Sequence, residues 1–212
     1  MRPIKNIIID PGHGGIDPVT GKYTTAPNKM HKFKTGEIAY EGHLNRQIAA
    51  FLGAYLNNLG KYFIIYTVDP NDPRDISLQQ RVRKANAYDP EDSILISIHC
   101  NASPNHNASG FELFTSRGYT LADELAESIA IQTQRLYDSV NLNLRYDLSD
   151  GDRDKEADFY MLKQSTMPAV LLECGFFDSQ IDYVFLKTPA FQSKLAYYIS
   201  EGITNYIENE KH

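Results

Sequence analysis

Asn6-Ile7-Ile8-Ile9-Asp10-Pro11-Gly12-His13-Gly14-Gly15 begins as a short apolar run and ends in a turn that exposes one histidine. Ile7, Ile8 and Ile9 are consecutive and β-branched, which suits a strand buried on both faces. Asp10-Pro11 ends the strand, because Pro11 has no N–H for a ladder and biases Asp10 away from helix. Gly12, Gly14 and Gly15 allow backbone angles that other residues avoid and leave room beside His13. A histidine in that position is open to a ligand or a metal. The same residues also read as a tight turn with an incidental histidine, and this motif alone does not separate the two.

The pattern recurs further along the chain. Ile94-Leu95-Ile96-Ser97-Ile98 is a second buried run that ends in a histidine, His99. Ala169-Val170-Leu171-Leu172 is a third, and it ends in Glu173. Other strands are expected over Tyr62–Val68, Gly110–Thr115 and, briefly, Phe159–Leu162. Between them lie helical patterns. Leu44, Ile48, Leu52, Tyr55, Leu56 and Leu59 recur at three- and four-residue spacing from Glu41 to the stop at Gly60. Ser77 caps a helix through about Tyr88, Thr120 opens one through about Val140, Ser179–Lys187 is short, and Thr188-Pro189 starts the last. Glu41 falls in a first helical turn, where the helix dipole favours a carboxylate. Strands alternating with amphipathic helices predict a single α/β domain, with a mostly parallel twisted sheet flanked by helices on both faces. In such sheets ligands bind outside the carboxyl ends of the strands. His13, His99 and Glu173 all fall there and are expected to line one crevice.

Bulk properties narrow the class. The chain has 212 residues, 42% of them hydrophobic and 23% charged, as expected of one globular domain. No apolar run approaches the ~18 residues that span a bilayer. A net charge of −6 argues against nucleic acid as partner. Two cysteines, Cys100 and Cys174, are too few for a disulfide scaffold. The segment Met1–Lys5 runs straight into the first strand and leaves no room for a signal peptide. Two stretches resist a regular reading. Residues 16–40 form a long basic loop carrying Lys22, Lys29, His31, Lys32 and Lys34, and residues 141–158 a charged surface excursion.

Two histidines and a carboxylate with an open fourth position make a hydrolytic zinc site, and a further carboxylate then serves as general base. His13, His99, Glu41 and Glu173 can fill these roles. Spacing does not say which glutamate would bind metal, and Glu37, Glu112 and His43 also remain candidates. The glycine turn fits neither nucleotide-binding fingerprint, because the G-x-G-x-x-G spacing is missing and Gly21-Lys22 is followed by Tyr23.

At this point a family resemblance enters. Asp10-Pro11-Gly12-His13-Gly14-Gly15 resembles the opening motif of zinc-dependent N-acetylmuramoyl-L-alanine amidases of the Amidase_3 type. The likeness continues through Glu41-Gly42-His43-Leu44-Asn45 with Ile48-Ala49, through Leu78, Arg81 and Ala85-Asn86, and through Ser97-Ile98-His99-Cys100-Asn101-Ala102. Gly110-Phe111-Glu112, Arg153, Ala157–Lys163 and Pro168–Phe177 complete it. The resemblance implies a hydrolase-like α/β fold, one Zn2+ ion on His13, Glu41 and His99, and Glu173 as catalytic glutamate. It implies a peptidoglycan glycan-peptide substrate, cut between the lactyl group of N-acetylmuramic acid and L-alanine, by a monomer acting in the cell envelope. Asp10 and Asn101 then either support the ligands or hold turns, while Arg81 and Asn86 are structural.

Further expectations follow for the remaining features. Lys22, Lys29, Lys32 and Lys34 would recognise an acidic stem peptide, and Tyr146–Glu156 would form a groove wall. Neighbouring residues on a strand point to opposite faces, so the thiols of Cys100 and Cys174 would pack away from the metal. His31, His43, His106 and His212 have no supporting context and default to the surface. Two other readings are a non-catalytic wall-binding module and a zinc peptidase that cuts within the stem peptide.

Overall fold

The computed structural model describes residues 3–149 and 151–209. Strand β1 (Asn6–Pro11) runs one residue past Asp10 and leads into the glycine turn. The long basic stretch is less irregular than its sequence suggests, since β2 (Met30–Lys32) and β3 (Ile38–Tyr40) pair as an antiparallel hairpin. Three-residue strands are too short to show an alternation. Phe33 and Tyr23 are buried and anchor the excursion. Helix α1 (Glu41–Asn58) follows without a break, and β4 (Phe63–Tyr66) lies in the expected position. Helix α2 (Leu78–Ala85) is capped by Ser77, whose side chain accepts from Gln80 N, and it stops before Tyr88.

Next come β5 (Ser93–Asn101), β6 (Glu112–Thr115) and α3 (Leu121–Ser139). Thr120 and Asp123 close a capping box at the start of α3. The 141–158 stretch is not purely superficial. Leu142 and Asp154 are buried, and β7 (Lys155–Glu156) pairs with β6. The expected strand at Phe159–Leu162 is instead a helix, α4 (Tyr160–Gln164). Phe159 and Tyr160 are exposed while Met161 and Leu162 are both buried. A strand cannot bury two successive side chains on one face, whereas a helical turn can. The chain ends with β8 (Ala169–Phe176), α5 (Gln180–Leu186) and α6 (Pro189–Asn209).

The main sheet has six strands in the order β4-β1-β5-β8-β6-β7. It is parallel except at β6–β8, which is antiparallel. Alternation sorts the buried side chains. Ile7, Ile9, Ile96, Ile98, Val170 and Leu172 join the core shared with α1, α3 and α6. Ile8, Leu95, Ala169 and Leu171 face α2 and α4. Burying one such side chain contributes about 1.5–3 kcal/mol, so the triple isoleucine alone anchors both faces. Cys100 and Cys174 are free thiols in the α1/α3/α6 core, as the alternation predicts, and burial pushes both well above the usual thiol range. No described helix is long and apolar enough to cross a membrane.

Candidate metal centre

The register places the polar strand ends side by side. Asp10 pairs with Ser97 and Ser97 with Leu171, and one step further His99 pairs with Glu173 and Glu173 with Glu112. All of these side chains lie on the face toward α2 and α4. His13 joins them from the turn after β1. Gly12 N donates to Ile98 O at 2.9 Å, so the ladder continues past Pro11. His13 itself has φ of 63°, a left-handed conformation costing about 1–3 kcal/mol in a non-glycine residue. Gly12 has to be glycine, because a Cβ there would lie 2.1 Å from the His99 ring. Gly42 is likewise required, because its Cβ would lie 1.9 Å from Gly14 O.

Glu41 is the first residue of α1 and is 1% exposed. Its Oε1 lies 3.0 Å from His99 Nδ1 and 3.3 Å from His13 Nε2. Its Oε2 is buried and accepts no hydrogen bond. Lys29 Nζ stands 3.5 Å from that oxygen. Burial pushes the Glu41 carboxyl up, but His13 and His99 outweigh it and hold it below the usual carboxylate range. Burial also lowers the His99 imidazole, so that ring holds Glu41 through its hydrogen bond more than through charge. A neutral imidazole is also the form that binds metals.

Ligand atoms of His13, Glu41 and His99 all lie within 4.8 Å of one another. Two imidazoles, a carboxylate oxygen with no hydrogen bond and a glycine floor fit a zinc ion with an open coordination position. Glu173 borders the same crevice, and its Oε2 is buried without a hydrogen bond. Burial first, and the charge of Glu41 second, push its carboxyl well above the usual range. The crevice opens into a cavity of about 520 Å³ that runs over Arg81 toward Leu78, Phe159 and Met161.

The remaining candidates separate. Glu112 is saturated, with Asn101 Nδ2 at 2.6 Å, Lys155 Nζ at 2.6 Å and Arg145 Nε at 2.7 Å. Glu37 pairs with Lys187 at 2.9 Å, and His43 lines a different cavity with Arg46. The hydrogen bonds of Asp10 and Asn101 go elsewhere than to the triad, although the Asp10 charge acts on His99. Asp10 binds Arg81 at 2.9 Å, Ser97 at 2.8 Å and Thr67, while Asn101 binds Glu112. Arg81 pairs with Asp10 and borders the cavity, while Asn86 ties Gln164 O and Thr166 N. Of the four loop lysines only Lys29 lines the cavity, and no described residue of Tyr146–Glu156 does. The wall is Phe159–Met161 instead, because the 146–156 segment folds back onto the sheet edge beyond Glu112. His106 lies at the surface as expected, with its Nδ1 2.7 Å from Asp178 and its ring 4.5 Å from that of the half-buried His31. Asp150 and His212 lie outside the described residues. The sequence reading missed Asn45, which donates to Gly12 O at 3.2 Å and Glu41 Oε1 at 3.5 Å. Its position one turn after Glu41 was the available signal.

A buried histidine–carboxylate cluster at the carboxyl edge of a mostly parallel sheet lies where α/β domains bind their ligands. The Amidase_3 model, N-acetylmuramoyl-L-alanine amidase, matches residues 7–205, and the chain belongs to that family. It is similar to an N-acetylmuramoyl-L-alanine amidase of Clostridium difficile 630, with TM-score 0.74 and 29% identity over 98% of this chain and 99% of that one. The catalytic domain of CwlV from Paenibacillus polymyxa gives 0.73 and 25%, over 97% and 99%. Among sequences, N-acetylmuramoyl-L-alanine amidase LytC of Bacillus subtilis is 29% identical over 95% of this chain and 35% of its own length. A sporulation-specific N-acetylmuramoyl-L-alanine amidase of the same organism is 30% identical, over 97% and 69%. The chain thus spans about a third of LytC.

Proposed function

We propose that this chain is a zinc-dependent peptidoglycan amidase of the cell envelope. It cleaves the amide between the lactyl group of N-acetylmuramic acid and L-alanine. The observation that carries this reading is the Glu41 carboxylate, buried between two histidines with one oxygen free of hydrogen bonds. His13, Glu41 and His99 would hold the ion. When bound, Zn2+ polarises the scissile carbonyl, eases ionisation of a water and draws a neighbouring carboxyl toward its ionised form. Glu173 takes the proton from the attacking water and returns it to the alanine nitrogen as the C–N bond breaks. The free Oε2 suits that exchange, because no fixed donor competes for it. Lys29, beside the same crevice, is positioned to hold an acidic group of the stem peptide. Phe159 and Leu78 give the cavity apolar walls.

The test is a digest of purified peptidoglycan by zinc-loaded protein. New N-terminal alanine without new reducing ends, abolished by chelation and restored by zinc, is the expected result. New amino termini other than alanine would instead identify a peptidase. In the same digest Lys29→Ala should raise KM, while Lys22→Ala, Lys32→Ala and Lys34→Ala leave it unchanged. An unchanged KM in Lys29→Ala would remove the lysine from substrate recognition.

A further inference from the structure

Arg46 sits in α1 and is almost fully buried. Among the described residues, its hydrogen bonds all go to main-chain carbonyls. Nε donates to Asp72 O at 3.0 Å, Nη2 to Arg74 O at 3.1 Å, and Nη1 to Gly42 O at 3.4 Å and to His13 O. One guanidinium therefore joins the glycine turn, the first turn of α1 and the 72–74 loop. His13 and Glu41 ride on the first two of these. The turn is tied on either side of His13, by Gly12 N to Ile98 O, Asn45 Nδ2 to Gly12 O, Gly14 N to Thr25 Oγ1, Gly15 N to Pro73 O and Thr24 N to Gly15 O, while the His13 carbonyl itself is held by Arg46. His13 also holds a left-handed backbone, a region sparsely populated by residues other than glycine.

We propose that Arg46 is the positioning residue that sets His13 against Glu41 and so determines the affinity of the site for its metal. The proposal rests on the reading that His13, Glu41 and His99 bind Zn2+. A planar fork of five N–H donors can reach four carbonyls on three segments at once. A lysine has three donors on one flexible point and cannot. Charge alone is therefore not the function of this residue.

Gly15 offers a second, milder handle. A Cβ there would lie 3.1 Å from Arg46 Cδ and 3.3 Å from Nε. It would also lie 3.3 Å from Pro73 Cα, so Gly15→Ala crowds both the Arg46 side chain and the loop that this side chain binds, while keeping the guanidinium.

The experiment measures Zn2+ affinity by competition with a chromophoric chelator, together with the visible spectrum of the Co2+-loaded protein. It compares wild type, Arg46→Lys, Arg46→Met, Gly15→Ala and Leu195→Ala, the last a core truncation remote from the turn that controls for lost stability. Arg46→Lys is expected to bind Zn2+ about 10- to 100-fold more weakly, with an altered Co2+ spectrum. Gly15→Ala should lose about threefold. Leu195→Ala should match wild type. The proposal is overturned if folded Arg46→Lys and Gly15→Ala both stay within about twofold of wild type. It is equally overturned if Arg46→Met binds more tightly, because Arg46 would then act by charge repulsion. Should Arg46→Lys fail to fold, Gly15→Ala decides. If wild type itself binds no Zn2+, the metal reading fails first and takes this inference with it.

Discussion

Glu173 and Glu112 are the same residue type, directly opposed across β8 and β6 on one face of the sheet. Both are nearly buried, yet their surroundings have opposite effects. Glu112 receives an amide, an ammonium and a guanidinium, and the two cations, Lys155 and Arg145, outweigh burial to hold its carboxyl below the usual range. Glu173 keeps one oxygen without a donor and is pushed upward. The lesson is that a carboxylate whose hydrogen bonds are all taken is a strut. One left unsatisfied beside a metal-fitting cluster is free to move a proton.

That contrast breaks most easily on paired substitutions. Glu173→Gln should cut kcat by about 100- to 10,000-fold while leaving the melting temperature level or higher, since it removes an uncompensated buried acid. Glu112→Gln should do the reverse. It should cost about 1–3 kcal/mol in denaturant unfolding, by leaving Arg145 and Lys155 without their shared partner, and lower kcat far less. Equal losses of kcat in the two variants would erase the distinction.

A smaller effect sharpens the same comparison through Asp154, which precedes the Lys155 that clamps Glu112. Burial raises the Asp154 carboxyl to about 7, against an ordinary value of 3.8, with Thr115 as its hydrogen-bond partner. The folded state therefore binds this proton more tightly than the unfolded chain. Its stabilising effect is complete below the ordinary value and is lost as pH rises toward about 7. Asp154→Asn should flatten that part of the stability–pH curve. An unchanged slope between pH 4 and 7, by thermal unfolding across buffers, would show that Asp154 ionises without resistance.

Much of this arrangement is legible in the sequence, for a physical reason. His99 and Glu173 interrupt apolar runs in the carboxyl halves of β5 and β8 and His13 follows the run of β1, so the three mark the carboxyl edge although Ser97 is also buried inside β5. Glu41 is legible as a first-turn carboxylate. What escapes is short or nameless. The β2–β3 hairpin and α4 are too brief to show a period, so the sequence of the first resembles a loop and that of the second a strand. Arg46 escapes because its partners are carbonyl oxygens, which every residue carries. The roles of Glu112 and Glu173 could not be told apart from spacing, because the difference lies in which cations fold back onto them from residues 145 and 155.

The strand order has a consequence for biosynthesis. β1, β4 and β5 are neighbours, and the segments around them bear His13, Glu41 and His99. Glu173 arrives only with β8, after α3 and the long return through β7. During translation the three would-be ligands leave the ribosome well before the proposed proton carrier exists. A chain that stops short of β8 lacks the strand that joins β5 to β6, so the edge that bears His99 would lie open and the crevice would lack Glu173.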